Sequence, residues 1–308
     1  MPFDAILLLA FGGPENMDEV RPFLANVLRG RPVPPQRLEA VVAHYALFDG
    51  RSPLKAITLR QANALHTALA DDGLDLPVYV GMRNWHPYIY DTLDRMAADG
   101  VGRALGVIMS AQHSEAGWQR YQHDVAAAQE RLGSRAPSVT YLPGWHDHPL
   151  FIDALSDLTQ RAFAPIPQDR RPTTPLVFTA HSVPSALPST ARYVTQIETG
   201  ARLVAGRLGH AAWRVAYQSR SGDPRTPWLE PDIGAVVRQL AAEGARACVV
   251  CPIGFVCDHM EVVYDLDTEA RQIAEGLGLS MHRASTVNAH PTFIRMLAAL
   301  VRQEWERA

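Results

Sequence analysis

The chain has 308 residues, 47% of them hydrophobic and 20% charged, with a formal net charge of −3. That length accommodates two ordinary domains, and that composition builds a buried core, which excludes a disordered chain. The near-even balance of acids and bases gives no electrostatic case for nucleic acid.

Lys55 is the only lysine and arginine supplies the other strong bases, which reads as genome composition and not as a site. The N-terminus has no basic region before its apolar run 5–11, and that run is too short for a secretory leader. No segment approaches the ~18 apolar residues of a membrane helix. A cytoplasmic protein without a membrane span is therefore expected. The 3 cysteines give no disulfide framework. Cys248 and Cys251 are three apart on a predicted strand, so they point to opposite faces and read as buried apolar residues. Cys257 is the one cysteine placed near a candidate site.

In chain order, residues 4–10 form an apolar strand, 11–15 a Gly-rich turn and 17–28 a helix. The paired Gly12 and Gly13 suit a close approach of a ligand or a tight turn. Neither a dinucleotide fingerprint nor a phosphate loop is present. A Pro/Arg loop over 30–35 precedes a helix near 37–45, a turn at 50–54 and a helix over 56–71. Strands follow at 78–81, 103–110 and 139–142, with helices at 88–98 and 117–132 between them. The alternation then repeats. Helices are expected at 149–163, 190–207, 232–243 and 291–305, and strands at 176–180, 213–217, 246–251 and 279–282. A long polar loop covers 218–231. Two runs of alternating strand and helix predict an α/β chain of two Rossmann-like, doubly wound domains with parallel four-stranded sheets. The boundary is placed between residues 146 and 147. The cleft between such domains is the default ligand site.

The stretch CVVCPIGFVCDHMEVVYDLDTE, residues 248–269, concentrates the chemistry. It opens as a buried strand, turns at Pro252 and Gly254, and enters a helix with Asp258 as the expected N-cap and Glu261 at the capping-box position. Glu261, Asp265 and Glu269 are spaced i, i+4, i+8, one row on an α-helix spanning roughly 12 Å at ~1.5 Å per residue. Each like-charged pair in such a row costs ~0.2–0.5 kcal/mol. The row is either a solvated acidic face or a ladder of oxygen ligands for a divalent cation. Its position after the carboxyl end of a strand, with Cys257 and His259 beside the first turn, favours the ladder.

His181 follows another buried strand of the same predicted sheet, and the Ser-Val-Pro turn after it fixes its place. His113, His146, His148 and His290 flank loops or helix starts and read as structural. An imidazole can exchange protons near neutrality and can also ligate first-row metals. An imidazole facing a carboxylate ladder suits the exchange of a metal for protons on a nitrogen ligand. It equally suits a metal-assisted hydrolase, and position alone does not choose.

Six stretches settle the choice by likeness: LLLAFGGPE (7–15), GRSPL (50–54), VYVGMRNWHPY (78–88), FTAHSVP (178–184), AYQSRSGDPRTPWLEPD (216–232) and CPIGFVCDHMEVVYDLD (251–267). Their content, order and spacing resemble the ferrochelatase family, most closely its actinobacterial coproporphyrin III branch, over nearly the whole chain.

That resemblance implies a class II chelatase-like fold, with residues 1–146 and 147–308 as its two domains and porphyrin in the cleft. It implies insertion of Fe2+ into a porphyrin, coproporphyrin III preferred, with loss of two pyrrole protons, as a step of haem biosynthesis. By the same resemblance His181 and Glu261 are catalytic, and His181, Glu261, Asp265 and Glu269 handle the metal. Phe11, Arg29, His44, Tyr45, Ser52, Arg83 and Tyr121 fall on the porphyrin side. Four positions depart from the branch. Phe11 stands where many members carry a tyrosine able to ligate product iron, and Leu28 and His44 stand where some carry arginines. Trp118 stands where some hold a cluster-binding cysteine, and no Cys-rich tail is present, so no [2Fe–2S] cluster is expected. The expected partners are porphyrin, Fe2+ as substrate and a transient haem acceptor, with the protein a monomer. A chelatase for another tetrapyrrole, a protoporphyrin IX enzyme and a non-catalytic haem carrier are the alternatives.

Overall fold

The computed structural model describes residues 2–29, 33–221 and 225–307. The loop expected over 30–35 and the stretch 216–232 lie partly outside these residues. Contacts divide the chain into two compact units. One holds the chain up to Met109, Ala116–Pro143 and the residues from Ile294 on; the other holds Ser110–Glu115 and Gly144–Phe293. The division switches at residues 110, 116, 144 and 294, and most of the terminal helix groups with the first unit.

The first unit is built on strand β1 (Ala5–Ala10), six apolar residues that are all buried. After it come α1 (Met17–Leu28), α2 (Pro35–Ala46), α3 (Leu54–Asp71), β2 (Val78–Met82), α4 (Ile89–Ala98), β3 (Arg103–Ile108), α5 (Arg120–Leu132) and β4 (Ser138–Tyr141). The sheet runs β2-β1-β3-β4 and every pairing is parallel. A parallel strand in the sheet interior is covered on both faces, and this is why β1 is apolar throughout and shows no alternation. The helix expected over 117–132 begins instead as a π-helical turn, Glu115–Gln119, before α5.

The second unit has α6 (Pro149–Phe163), β5 (Leu176–His181), α7 (Thr190–Arg207), β6 (Trp213–Gln218), α8 (Ile233–Ala242), β7 (Ala247–Cys251), α9 (Met260–Tyr264), α10 (Arg271–Gly276) and β8 (Ser280–Arg283), with α11 (Pro291–Arg307) following. Its sheet runs β6-β5-β7-β8, again all parallel. Val177, Val236, Val237, Leu240, Val250 and Val262 meet in its core. His148 and His290, expected to be structural, each make a hydrogen bond near a helix start. His148 Nδ1 accepts from Leu150 N at the start of α6, and His290 Nε2 lies 2.9 Å from Asp157 Oδ2.

The helix expected to carry the acidic row is not α-helical throughout. Between α9 and α10 residues Asp265–Ala270 form a π-helical turn. The wider i→i+5 winding of such a turn departs from the α spacing on which a straight row depends. Nor is Asp258 the N-cap. That position belongs to His259, whose backbone is extended and whose side chain makes no cap bond. The reason is competition: the Asp258 carboxylate accepts from Arg283 Nη1 at 2.9 Å and Asn288 Nδ2 at 3.0 Å, leaving it no role over the helix end.

Among the described residues, no helix is long and apolar enough to cross a membrane.

Candidate active site

In the second unit the sheet itself brings the chemical groups together. His181 is the last residue of β5, one further along the strand than expected, and pairs in register with Gln218 of β6. Its backbone carbonyl accepts from Tyr193 Oη at 3.1 Å. Its Nδ1 contacts the Ser182 carbonyl, and its Nε2 lies 3.6 Å from Glu261 Oε2. His259, two residues before Glu261, sets its own Nε2 3.3 Å from the same oxygen, with Nδ1 3.2 Å from the Cys257 carbonyl. Gln218 Nε2 donates to the Glu261 carbonyl at 2.5 Å and so fixes the backbone under this carboxylate.

Burial works to raise the Glu261 pKa, but the charge and hydrogen bond of His181 and the facing His259 hold it well below the usual carboxylate range. Burial works to lower that of His181, but the Glu261 charge and bond, the Ser182 carbonyl and Asp265 leave it raised. Each group of the pair thus favours the charged form of the other. Glu261 keeps 41% of its side-chain surface exposed, so the carboxylate remains open to a ligand.

Asp265 stands apart from that pair and accepts from Ser219 Oγ. Ser219 is held in the left-handed region at φ 62°. Burial, with the charges of Glu261 and Glu269, outweighs the Ser219 bond and pushes the Asp265 pKa up to about 7. Glu269 is exposed. Among the described residues, no three or more His, Cys, Asp or Glu side chains are grouped to hold a metal ion. His181, Glu261, Asp265 and Glu269, the residues expected to handle metal, therefore do not form a grouped set of ligands among the described residues. The thiols add none. Burial pushes Cys248, Cys251 and Cys257 up to about 12, and Cys257 serves the site only through its carbonyl.

The elevated Asp265 pKa has a measurable sign. The unfolded carboxyl ionises near 3.8 and the folded one near 7, so its contribution to stability is complete below the former and lost as pH rises through the latter. Asp265→Asn is expected to melt at a temperature that gains on the parent's as pH is raised from 4 to 8. Parallel melting curves across that range would show that Asp265 is not protonated in the fold.

The first unit holds the residues expected on the porphyrin side, and here the structure changes their reading. Arg83 and Arg29 are not free cations. Arg83 Nε donates to Asp124 Oδ2 at 2.6 Å, and Arg29 donates to both Asp124 oxygens at 2.9 and 3.1 Å. The Arg83 side chain is 7% exposed and lies over the Tyr121 ring, 5.5 Å from its centroid. Tyr121 is itself part of the buried core of this unit. Tyr45 and Ser52 are buried, and Phe11 and His44 are half-buried. Phe11 and Tyr45 each pack edge-on against Phe23 with centroids 6.2 Å apart. The glycine turn serves this packing. Gly12 has φ +89°, and a Cβ on Gly13 would stand 2.7 Å from that of Ser52. Burial lowers the His44 pKa.

Asp124 escaped the sequence reading because nothing local marks an acid on α5 as the partner of arginines 41 and 95 positions away. Burial works to raise its pKa, but both guanidinium groups leave it lowered. Asp124→Asn leaves a buried guanidinium without its counter-charge and is expected to cost ~3 kcal/mol. That corresponds to a melting point roughly 6–12 °C lower at neutral pH. The gap should close as pH falls below the ordinary carboxyl value of 3.8, since a depressed pKa stabilises only above it. An unchanged melting point would show the cluster to be solvated.

Comparison with known proteins defines the class first. Over 98% of this chain the fold superposes on 95% of the sirohydrochlorin chelatase SirB of Bacillus subtilis with TM-score 0.58 at 13% identity. CbiX, the terminal enzyme of sirohaem biosynthesis in denitrifying bacteria, superposes over 97% of this chain and 98% of its own with TM-score 0.53 at 16% identity. This is the two-unit α/β fold of chelatases. Sequence then supplies the family. A profile described as Ferrochelatase matches residues 3–305. A coproporphyrin III ferrochelatase of Nocardia farcinica is 45% identical over 98% of this chain and 88% of its own length. That of Mycolicibacterium smegmatis is 44% identical over 98% and 89%. The chain belongs to the ferrochelatase family.

Proposed function

We propose that this protein inserts Fe2+ into coproporphyrin III, in haem biosynthesis, with the release of two protons. The observation that carries the reading is the His181–Glu261 pair at the carboxyl edge of the second sheet, in a chain matched almost end to end by the ferrochelatase family. Relatives named coproporphyrin III ferrochelatase, 45% and 44% identical, support that substrate.

The chemistry follows from the hydrogen bonds. A carbonyl oxygen only accepts, so the His181 nitrogen facing Ser182 carries a proton. In the neutral ring Nε2 then holds the lone pair that takes a pyrrole proton. The Glu261 carboxylate beside Nε2 stabilises the imidazolium so formed. His259 faces acceptor oxygens with both ring nitrogens, and it donates to both only as an imidazolium. It is positioned to share the negative charge of Glu261 and to pass a proton onward. Glu261, Asp265 and Glu269 are separate oxygen donors, so Fe2+ moves along them still partly hydrated. Two protons leave as one dication enters, and the charge on the macrocycle balances.

On the porphyrin side we assign contacts to Phe11, His44, Tyr45 and Ser52. Arg29, Arg83 and Tyr121 shape that wall through Asp124. Phe11 offers no metal ligand, and with Trp118 at the position of a cluster cysteine we read the chain as cluster-free. Propionates can be held by hydroxyls, backbone N–H groups and water, so two missing arginines, each worth ~0–1 kcal/mol when exposed, do not reverse the preference. Steady-state kinetics on coproporphyrin III and protoporphyrin IX test the proposal. The expected result is a higher kcat/KM for coproporphyrin III, from protein isolated without labile sulfide. A preference for protoporphyrin IX would overturn the substrate, and no insertion into either would overturn the reaction.

A further inference from the structure

Arg283, the last residue of β8, lies outside the His181–Glu261 pair, yet it touches the chain on both sides of Glu261. Its Nε and Nη2 donate to the two oxygens of Asp267, each at 2.7 Å. Such a two-pronged bond fixes a carboxylate in plane as well as in distance. Its Nη1 donates to Asp258 Oδ1 at 2.9 Å and to the Ala284 carbonyl at 3.2 Å. Asn288 completes the grip, donating to Asp258 Oδ2 at 3.0 Å while its Oδ1 accepts from Asp258 N at 2.9 Å. The Arg283 side chain is 13% exposed, so these bonds are little screened by water.

The positions of the two acids matter. Asp258 stands three residues before Glu261, and Asp267 lies in the π-helical turn between Asp265 and Glu269. One guanidinium therefore holds both the start of α9 and the middle of the turn that follows it. On the other side the same segment is pinned by Gln218 at the Glu261 carbonyl and by Ser219 at Asp265. The segment needs such pins. Residues 260–276 are helical without a break, but the middle six wind as a π turn and not as an α-helix. A π turn is rare and persists where its surroundings hold it.

We propose that Arg283 is a positioning residue for the metal path. By clamping Asp258 to Asp267 it sets the spacing and direction of Glu261, Asp265 and Glu269 without touching metal or porphyrin. The inference rests on the reading of these acids as the Fe2+ route. Lysine cannot replace the clamp, since an ammonium lacks the planar fork.

The test uses the full chain with Arg283→Lys, Asp267→Glu and Arg271→Ala. Asp267→Glu keeps the ion pair but moves the turn by about one methylene. Arg271 lies 3.5 Å from Asp267 on the exposed side and serves as the control. Three quantities are measured: KM for Fe2+, KM for porphyrin, and amide hydrogen exchange over residues 258–270. A supporting ligand shell typically contributes ~10–100-fold in metal affinity, so KM for Fe2+ is expected to rise at least ~10-fold in the first two variants. Porphyrin KM should be unchanged, exchange over 258–270 faster, and Arg271→Ala like the parent. Folded variants with parental iron kinetics, or with equal changes toward both substrates, would overturn the proposal. So would failure of both variants to fold, which would make Arg283 a folding residue. If the parent itself inserts no Fe2+, the functional reading fails instead, and faster or unchanged exchange alone decides whether Arg283 orders the segment.

Discussion

Replacing His181 with alanine is expected to lower Fe2+ insertion by a factor of ~10² or more, the contribution of a positioned proton acceptor. The fold should survive. His181 ends β5, and its backbone stays paired with Gln218 and held by Tyr193 whatever the side chain. The lost side-chain contacts are those to the Ser182 carbonyl and to Glu261, which belong to the site and not to the core. The Glu261 carboxylate, freed of its nearest positive charge, should titrate closer to the ordinary range, because the His181 charge and bond are major causes of its depression. Initial rates of iron insertion and a melting curve on the same preparation measure both effects. Near-parental turnover would remove His181 from the mechanism.

Glu261→Gln should be nearly as damaging, by roughly 10²-fold, with a signature that alanine at 181 does not share. The amide keeps the shape and removes the charge. His181 then loses the largest of the causes that raise its pKa, while the desolvation that lowers it remains. If neutral His181 takes the pyrrole proton, the acid limb of the kcat/KM profile should move to lower pH as the maximum falls. A falling maximum with an unmoved acid limb would mean that Glu261 acts on the metal alone. Parental kinetics throughout would leave Glu261 part of a solvated acidic face.

These expectations depend on how local the information in the chain is. The β1 run AILLLA and the β7 run ACVVC announce buried parallel strands, because a strand covered on both faces has only apolar positions. Repeated alternation with helices then leads to two parallel sheets. His181 and Glu261 are legible for the same reason: one ends and the other follows such a strand, and neighbouring strands of a parallel sheet deliver their carboxyl ends to one edge. Likeness to a family assigned the reaction, and spacing alone had left it open.

What the sequence could not show is the fate of each side chain once distant segments meet. A three-residue spacing put Glu261 where a capping box needs it, yet Arg283 and Asn288, 25 and 30 positions away, claim Asp258. The even spacing of Glu261, Asp265 and Glu269 reads as one α-helical row, but the chain winds as a π turn between Ser219 on one side and Arg283 on the other. Resemblance puts Arg29 and Arg83 on the porphyrin side, and nothing local shows that α5 brings Asp124 between them. Strand and helix periodicity depends on neighbours a few residues apart, so sequence by itself determined the two sheets and the edges at which the site residues stand. Charge pairing depends on who is adjacent in space, so only the tertiary structure decided which acids are free to act and which are held by arginine.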